Sequence, residues 1–228
     1  MPEADPDLQD SKRLPAAQRP RDAATLILVR RDGERPRILM GQRHEGHAFM
    51  PNKYVFPGGR LDPADTRAKP ARDLHAEVLG KLMQRMGARA SAARARGLAV
   101  AALRETFEET GLLVGRRRPD EAPDLSGLVF FARAITPPGR TRRFDSRFFV
   151  ADAAHVDNLD APHHDGSGEL LTLSWFTLEE TLGLDLPSIT KDILRRLQPF
   201  LDRGLLPGPD CSVSFQYYRR NTWTEETI

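Results

Sequence analysis

The densest run of reactive side chains is Arg104-Glu105-Thr106-Phe107-Glu108-Glu109-Thr110-Gly111-Leu112. On a helix, Glu105, Glu108 and Glu109 stand at i, i+3 and i+4 and share one face. Carboxylates crowded in this way repel one another, and more strongly as water is excluded. A hard divalent cation relieves the repulsion, and Mg²⁺ favours oxygen ligands shared with phosphate groups. Arg104 lies one turn before Glu108 and can pair with it, fixing the helix face. Glutamates clustered on a helix are more often solvated surface, so the cluster alone does not specify chemistry. The second feature is Pro57-Gly58-Gly59-Arg60-Leu61-Asp62-Pro63-Ala64-Asp65. Paired glycines permit a tight turn and let backbone approach a metal or phosphate closely. Glycine loop and carboxylate face together predict a metal–phosphate site.

Several elements must position these groups. Residues 24–29 read as a buried strand, 31–34 as a turn and 37–43 as its hairpin partner. A short extended segment, 54–56, leads into the glycines. Over 70–95 the chain is rich in Ala, Arg, Leu and Met, and Leu74, Val78, Leu82 and Met86 recur at steps of four. That spacing predicts an amphipathic helix, which Gly87 and the Ala/Arg-rich run after it can interrupt. A second helix is expected over 98–110, ending at Gly111. Further strands are expected at 128–133, 143–151, 169–176 and 211–218, with short helices at 178–183 and 189–203. Strands mixed with a few helices imply an α+β domain, an α/β/α sandwich around a mixed sheet. Residues 1–22, Pro-rich, charged and poor in apolar side chains, read as a flexible tail before a single domain over 23–228.

The motif resembles the Nudix box, whose pattern is G-x5-E-x7-R-E-U-x-E-E-x-G-U with U a bulky apolar residue. Gly59, Asp65, Arg104, Glu105, Glu108, Glu109, Gly111 and Leu112 match it. Asp65 stands where the family usually has Glu, Thr106 occupies the first bulky apolar position, and residues 66–103 replace the short spacer. A helical insertion over about 66–97, looped out within the box, accounts for that length. The stretch from His44 to Asp65, with Ile135-Thr136-Pro137 and Arg142-Arg143-Phe144-Asp145, is similar to the peroxisomal coenzyme A diphosphatase branch. The resemblance implies metal-dependent hydrolysis of a nucleoside diphosphate linked to another group, with Mg²⁺ or Mn²⁺ as cofactor. It implies Glu105, Glu108 and Glu109 as metal ligands, with the Gly59 carbonyl beside them and Glu105 as candidate general base. Coenzyme A or its acyl forms, giving 3′,5′-ADP and 4′-phosphopantetheine, are the expected substrates. A broader pyrophosphatase acting on ADP-ribose, NADH or dinucleoside polyphosphates is the alternative, and a nucleotide-sensing regulator without turnover is a reading of another class.

Other candidates surround this core. Glu169 reads equally well as a further catalytic carboxylate and as a solvent-facing strand start. Arg43, Arg60, Arg143 and Arg147 are candidate phosphate contacts, since guanidinium forks match phosphate oxygens. On a strand Arg143 and Arg147 share one face and Arg142 takes the other. Gly58, Asp65, Arg104 and Gly111 read as structural. His163 and His164 read as exposed loop, and Phe49 and Met50 as core packing. Lys+Arg total 34 against 32 for Asp+Glu, a net charge of +2, which argues against a broad nucleic-acid footprint. The single cysteine, Cys211, excludes an internal disulfide, and no apolar run reaches membrane-span length. The expected partner is therefore a small nucleotide rather than a nucleic acid or a membrane, in a cytoplasmic protein. A homodimer is compatible with the insertion and the late strand. The chain end, Glu225-Glu226-Thr227-Ile228, lacks a peroxisomal address.

Overall fold

A computed structural model describes residues 18–46, 50–160, 168–220 and 222–228. Its centre is β1 (Arg21–Arg30), whose Leu26, Ile27, Leu28 and Val29 are fully buried. β1 pairs in parallel with β6 (Phe144–Asp152) along its length, from Arg21 opposite Phe144 to Val29 opposite Asp152. Its other edge is shared by two antiparallel partners. β2 (Arg37–Arg43) joins at Val29 and Arg30, and β4 (Gly58–Arg60) joins at Ala23, Ala24 and Thr25. β3 (Tyr54–Val55) and β7 (Leu170–Thr177) extend the sheet from β2. On the far side β6 pairs with β5 (Val129–Ile135), then β8 (Ser214–Arg219) and β9 (Thr222–Thr227).

Because side chains alternate along a strand, the two faces of β1 bury different partners. Ala24, Leu26 and Leu28 pack with α1 (Ala76–Met83) and α2 (Ala92–Thr110). Ile27 and Val29 pack with Ile193, Leu194, Leu197 and Leu201 of α4 (Ser188–Leu201), which follows the short α3 (Leu178–Thr181). The result is the expected α/β/α sandwich of α+β class. No helix among the described residues is long and apolar enough to cross a membrane.

The insertion departs from expectation. The helix expected over 70–95 is only α1, eight residues long, and it stops shortly before the interruption expected at Gly87. Gln84 leaves the helix in an extended conformation, and Arg85 and Gly87 take left-handed φ of 61° and 68°. Leu74 is buried and Met86 packs on the core, but both do so from irregular chain. Residues 92–97, assigned to the insertion, are the first turns of α2: the Ser91 hydroxyl caps them by accepting the Arg94 N–H at 3.2 Å. The strand of the N-terminal region starts at Arg21, inside the expected tail, because Asp22 is needed by Arg94 and Arg147. Residues 1–17 of the expected tail lie outside the described residues, as do Phe49, His163 and His164. β9 was not anticipated; its Thr-Trp-Thr-Glu-Glu-Thr run is mostly exposed edge and has no apolar stripe.

Candidate active site

α2 carries the three glutamates to β4. It ends where the sequence places its stop, at Gly111, whose φ of 74° lies in the left-handed region that glycine adopts without strain. Gly58 donates its N–H to the Glu109 carboxylate at 2.8 Å. At Gly59 a Cβ would stand 2.3 Å from the Glu105 carboxyl carbon, so the missing side chain is what lets Glu105 reach the loop. Sequence segments separated by the whole insertion thus meet as the motif requires.

Arg104 organises this contact. Its Nε and terminal nitrogen fork onto Asp65 at 3.0 and 3.1 Å, and it donates to the Arg60 carbonyl at 3.0 Å. The same guanidinium bonds Glu105 and Glu108, both at 3.0 Å. Asp65 is buried and also accepts the Asp62 N–H at 2.8 Å. Burial works against the charge on Arg104, but Asp65, Glu105 and Glu108 outweigh it and hold the guanidinium above its ordinary range. Thr106 is buried and donates to the Ala102 carbonyl at 2.7 Å, which accounts for a hydroxyl at a position usually apolar.

Burial pushes Glu109 up to about 8, with the Gly58 N–H and Arg43 opposing and Glu105 and Glu169 reinforcing the shift. Glu105 is raised by burial too, against Arg104. A set of hard oxygen donors gathered this closely, two of them resisting ionisation through burial, fits a divalent cation. Among the described residues no three acidic, His or Cys side chains are already closed around one point. Glu105 and Glu108 each have an oxygen committed to Arg104, and Glu109 to Gly58. Binding a cation would require these carboxylates to turn from Arg104 or to use their remaining oxygens.

Glu105 and Glu108 open onto a cavity of about 420 Å³, which Gly58, Gly59 and Arg60 also line. Glu169 lies just before β7 and faces the same cavity, so it joins the other carboxylates there. Arg43, at the end of β2, does as well; burial lowers its pKa, Glu109 and Glu169 oppose that, and Arg142 adds to it. Arg143 and Arg147 do not belong to the cavity. Phe144, Ser146 and Phe148 are the β6 residues that face it, which turns the odd-numbered positions away. Arg143 donates to the Thr136 carbonyl at 3.0 Å and the Gln18 carbonyl at 2.7 Å. Arg147 is 2% exposed and pairs with Asp22 and Asp145; burial pushes it down to about 10 against the pull of Asp145. In their place Arg140 and Arg142 line the cavity. Met50, read as core, is a cavity residue with left-handed φ of 53°. Trp223 of β9 and the first turn of α4 also line it, and sequence patterning pointed to neither.

No family model matches the chain. Among solved structures, a NUDIX hydrolase from Alicyclobacillus acidocaldarius is similar, with a TM-score of 0.58 and 25% identity, covering 78% of this chain and 90% of that one. The NUDIX domain of Shewanella oneidensis NrtR, solved with ADP ribose, has a TM-score of 0.51 at 12% identity, covering 86% and 93%, and shares the fold. The mixed sheet between helices, with a glycine turn against a glutamate-bearing helix, is similar to that of the Nudix hydrolase fold. Fold and site are those of a Nudix-type pyrophosphohydrolase, a class that acts on nucleoside diphosphate derivatives and generally needs divalent metal ions.

Proposed function

We propose that the chain hydrolyses the diphosphate bond of coenzyme A or acyl-coenzyme A, releasing 3′,5′-ADP and 4′-phosphopantetheine or its acyl form. The observation that carries this reading is one cavity lined both by the carboxylates Glu105, Glu108 and Glu169 and by two arginines, Arg140 and Arg142. A diphosphate at the first and a phosphomonoester at the second describe coenzyme A better than ADP-ribose or NADH, which lack the extra phosphate. Met50, Phe144 and Trp223 provide apolar surface for an adenine or a pantetheine arm.

Glu105, Glu108 and Glu109, with the Gly59 carbonyl, are the residues that would hold Mg²⁺ or Mn²⁺. Such an ion supplies charge neutralisation at the phosphate oxygens and lowers the pKa of water. Glu105 faces the cavity with a carboxylate whose proton affinity is raised by burial, and it takes the proton of the attacking water. The water oxygen bonds to one phosphorus as the bridging P–O bond breaks, the electron pair leaving on the other phosphate. Arg104 holds Glu105 and Glu108 in orientation, and Asp65 holds Arg104.

Turnover of coenzyme A, dephospho-coenzyme A, ADP-ribose and NADH with Mg²⁺ and Mn²⁺ tests the reading, with products identified by mass. Coenzyme A should lead, yield 3′,5′-ADP, and lose turnover in Glu108→Gln and Glu109→Gln. Preference for ADP-ribose or NADH would leave the chemistry and discard the substrate. Tight binding with no turnover of any of the four would point to a sensor.

A further inference from the structure

α4 begins at the cavity without a side-chain cap. Pro187 is its N-cap residue and has no hydrogen-bonding side chain, and no acidic residue sits in the first turn. The first amide whose acceptor is known is that of Lys191, bonded to the Pro187 carbonyl at 3.1 Å. The N–H groups of Ser188, Ile189 and Thr190 have no acceptor among the described residues, as expected of an uncapped helix start. Ser188, Ile189 and Thr190 all line the cavity.

An open helix start alone would mean only that water satisfies it. Thr190 is the independent sign of a ligand. It is 4% exposed and lines the cavity, and its hydroxyl has no hydrogen-bonding partner among the described residues. Thr106 and Thr110, also buried, turn their hydroxyls onto backbone carbonyls at 2.7 and 2.6 Å, whereas that of Thr190 is left open to the cavity. The arginines are the second sign. Arg140 and Arg142 line the same cavity, and Arg142 is near enough to Arg43 to depress its pKa. Arg142 does so from the exposed rim, and like charges brought together at a cavity mouth favour an anion.

We propose that the first turn of α4, through the Ser188–Thr190 amides and the Thr190 hydroxyl with Arg142, forms an anion subsite separate from the carboxylates. It takes a phosphomonoester carried by the substrate away from its scissile diphosphate. Free amides and a helix dipole favour such a group, and a guanidinium adds charge-assisted bonds. The assignment of that group to the 3′-phosphate of coenzyme A rests on the function proposed above. The subsite itself does not.

Calorimetric titration of the full chain in EDTA with 3′,5′-ADP, 5′-AMP and inorganic phosphate separates the two. Ser188→Asp places a carboxylate at the helix start, where it stabilises the helix but repels an anion. Thr190→Val removes the hydroxyl at nearly constant shape, and Thr190→Ser retains it. Ser188→Asp and Thr190→Val should weaken 3′,5′-ADP and inorganic phosphate by roughly tenfold, leave 5′-AMP unchanged, and keep the thermal midpoint, while Thr190→Ser binds as wild type. Unchanged 3′,5′-ADP and phosphate binding in both variants overturns the subsite, even if coenzyme A is the preferred substrate. Weakened phosphate binding in an enzyme that does not prefer coenzyme A to its dephospho form keeps the subsite and removes the coenzyme A reading.

Discussion

Gly59 has no room for a methyl group. A Cβ there would lie 2.3 Å from the Glu105 carboxyl carbon and 2.4 Å from one of its oxygens. Gly59→Ala must therefore drive Glu105 out of place or displace β4 from β1. Misplacing a reacting group by about 1 Å costs on the order of 100-fold, and steady-state kcat/KM at saturating Mg²⁺ should fall by about that much. Activity within a few-fold of wild type would show that Glu105 is not held by this contact. The glutamates and the glycine pair were legible because helical spacing and paired glycines are local signals. The arginines were not. Strand periodicity set Arg142 opposite Arg143 and Arg147, but β6 begins only at Phe144, so of the three only Arg147 is on the strand, and periodicity does not say which side of β6 faces a cavity. Phe144, Ser146 and Phe148 decide that, and they do so only once α4 is in place.

At the scale of elements, local chemistry dominates where the chain is regular and fails where it is not. Strands β1, β2, β5 and β6 and helix α4 fall near their expected positions because each has a buried stripe. The insertion shows why apolar spacing is insufficient: Leu74 and Met86 keep the helical interval and the buried contact while the backbone between and around them changes direction. Gly111 is the opposite case, a single residue that both predicts and produces a helix end. Gly111→Ala would force a side chain into φ of 74°, at a cost of about 1–2 kcal/mol. Thermal denaturation of the metal-free chain should register that loss. The Asn158 side chain, which donates to the Gly111 carbonyl at 2.9 Å and accepts the Leu113 N–H at 2.7 Å, ties the same corner to the strap after β6.

Across the whole molecule, two sets of buried charges do different work. Arg147, Asp22, Asp145, Arg133 and Arg94 form a chain of ion pairs that joins β1, β5, β6 and the start of α2. Asp22 retains Arg94 and Asp145 retains Arg133 if Arg147 is lost, so Arg147→Ala should cost stability near the lower end of about 3–5 kcal/mol. kcat/KM of the folded variant should remain at the wild-type level, whereas a phosphate contact at Arg147 would raise KM for substrate. The second set is the carboxylate group on α2, which the fold leaves under-compensated. Glu109 is buried and held at about 8, above the ordinary glutamate value near 4.5. A carboxyl raised on folding stabilises the metal-free chain while protonated; that contribution is complete below the unfolded value and is lost as pH rises through about 8. A bound divalent cation favours the ionised form and displaces the proton, so its stabilising effect must grow over the same window. The difference in thermal midpoint between Mg²⁺ and EDTA should therefore be small near pH 5 and increase toward pH 9, as about one proton is released per ion. In Glu109→Gln the EDTA midpoint should lose its decline across that range. A metal-induced shift of equal size at every pH would show that Glu109 is ionised without the cation, and that the charge on α2 is balanced by the protein alone.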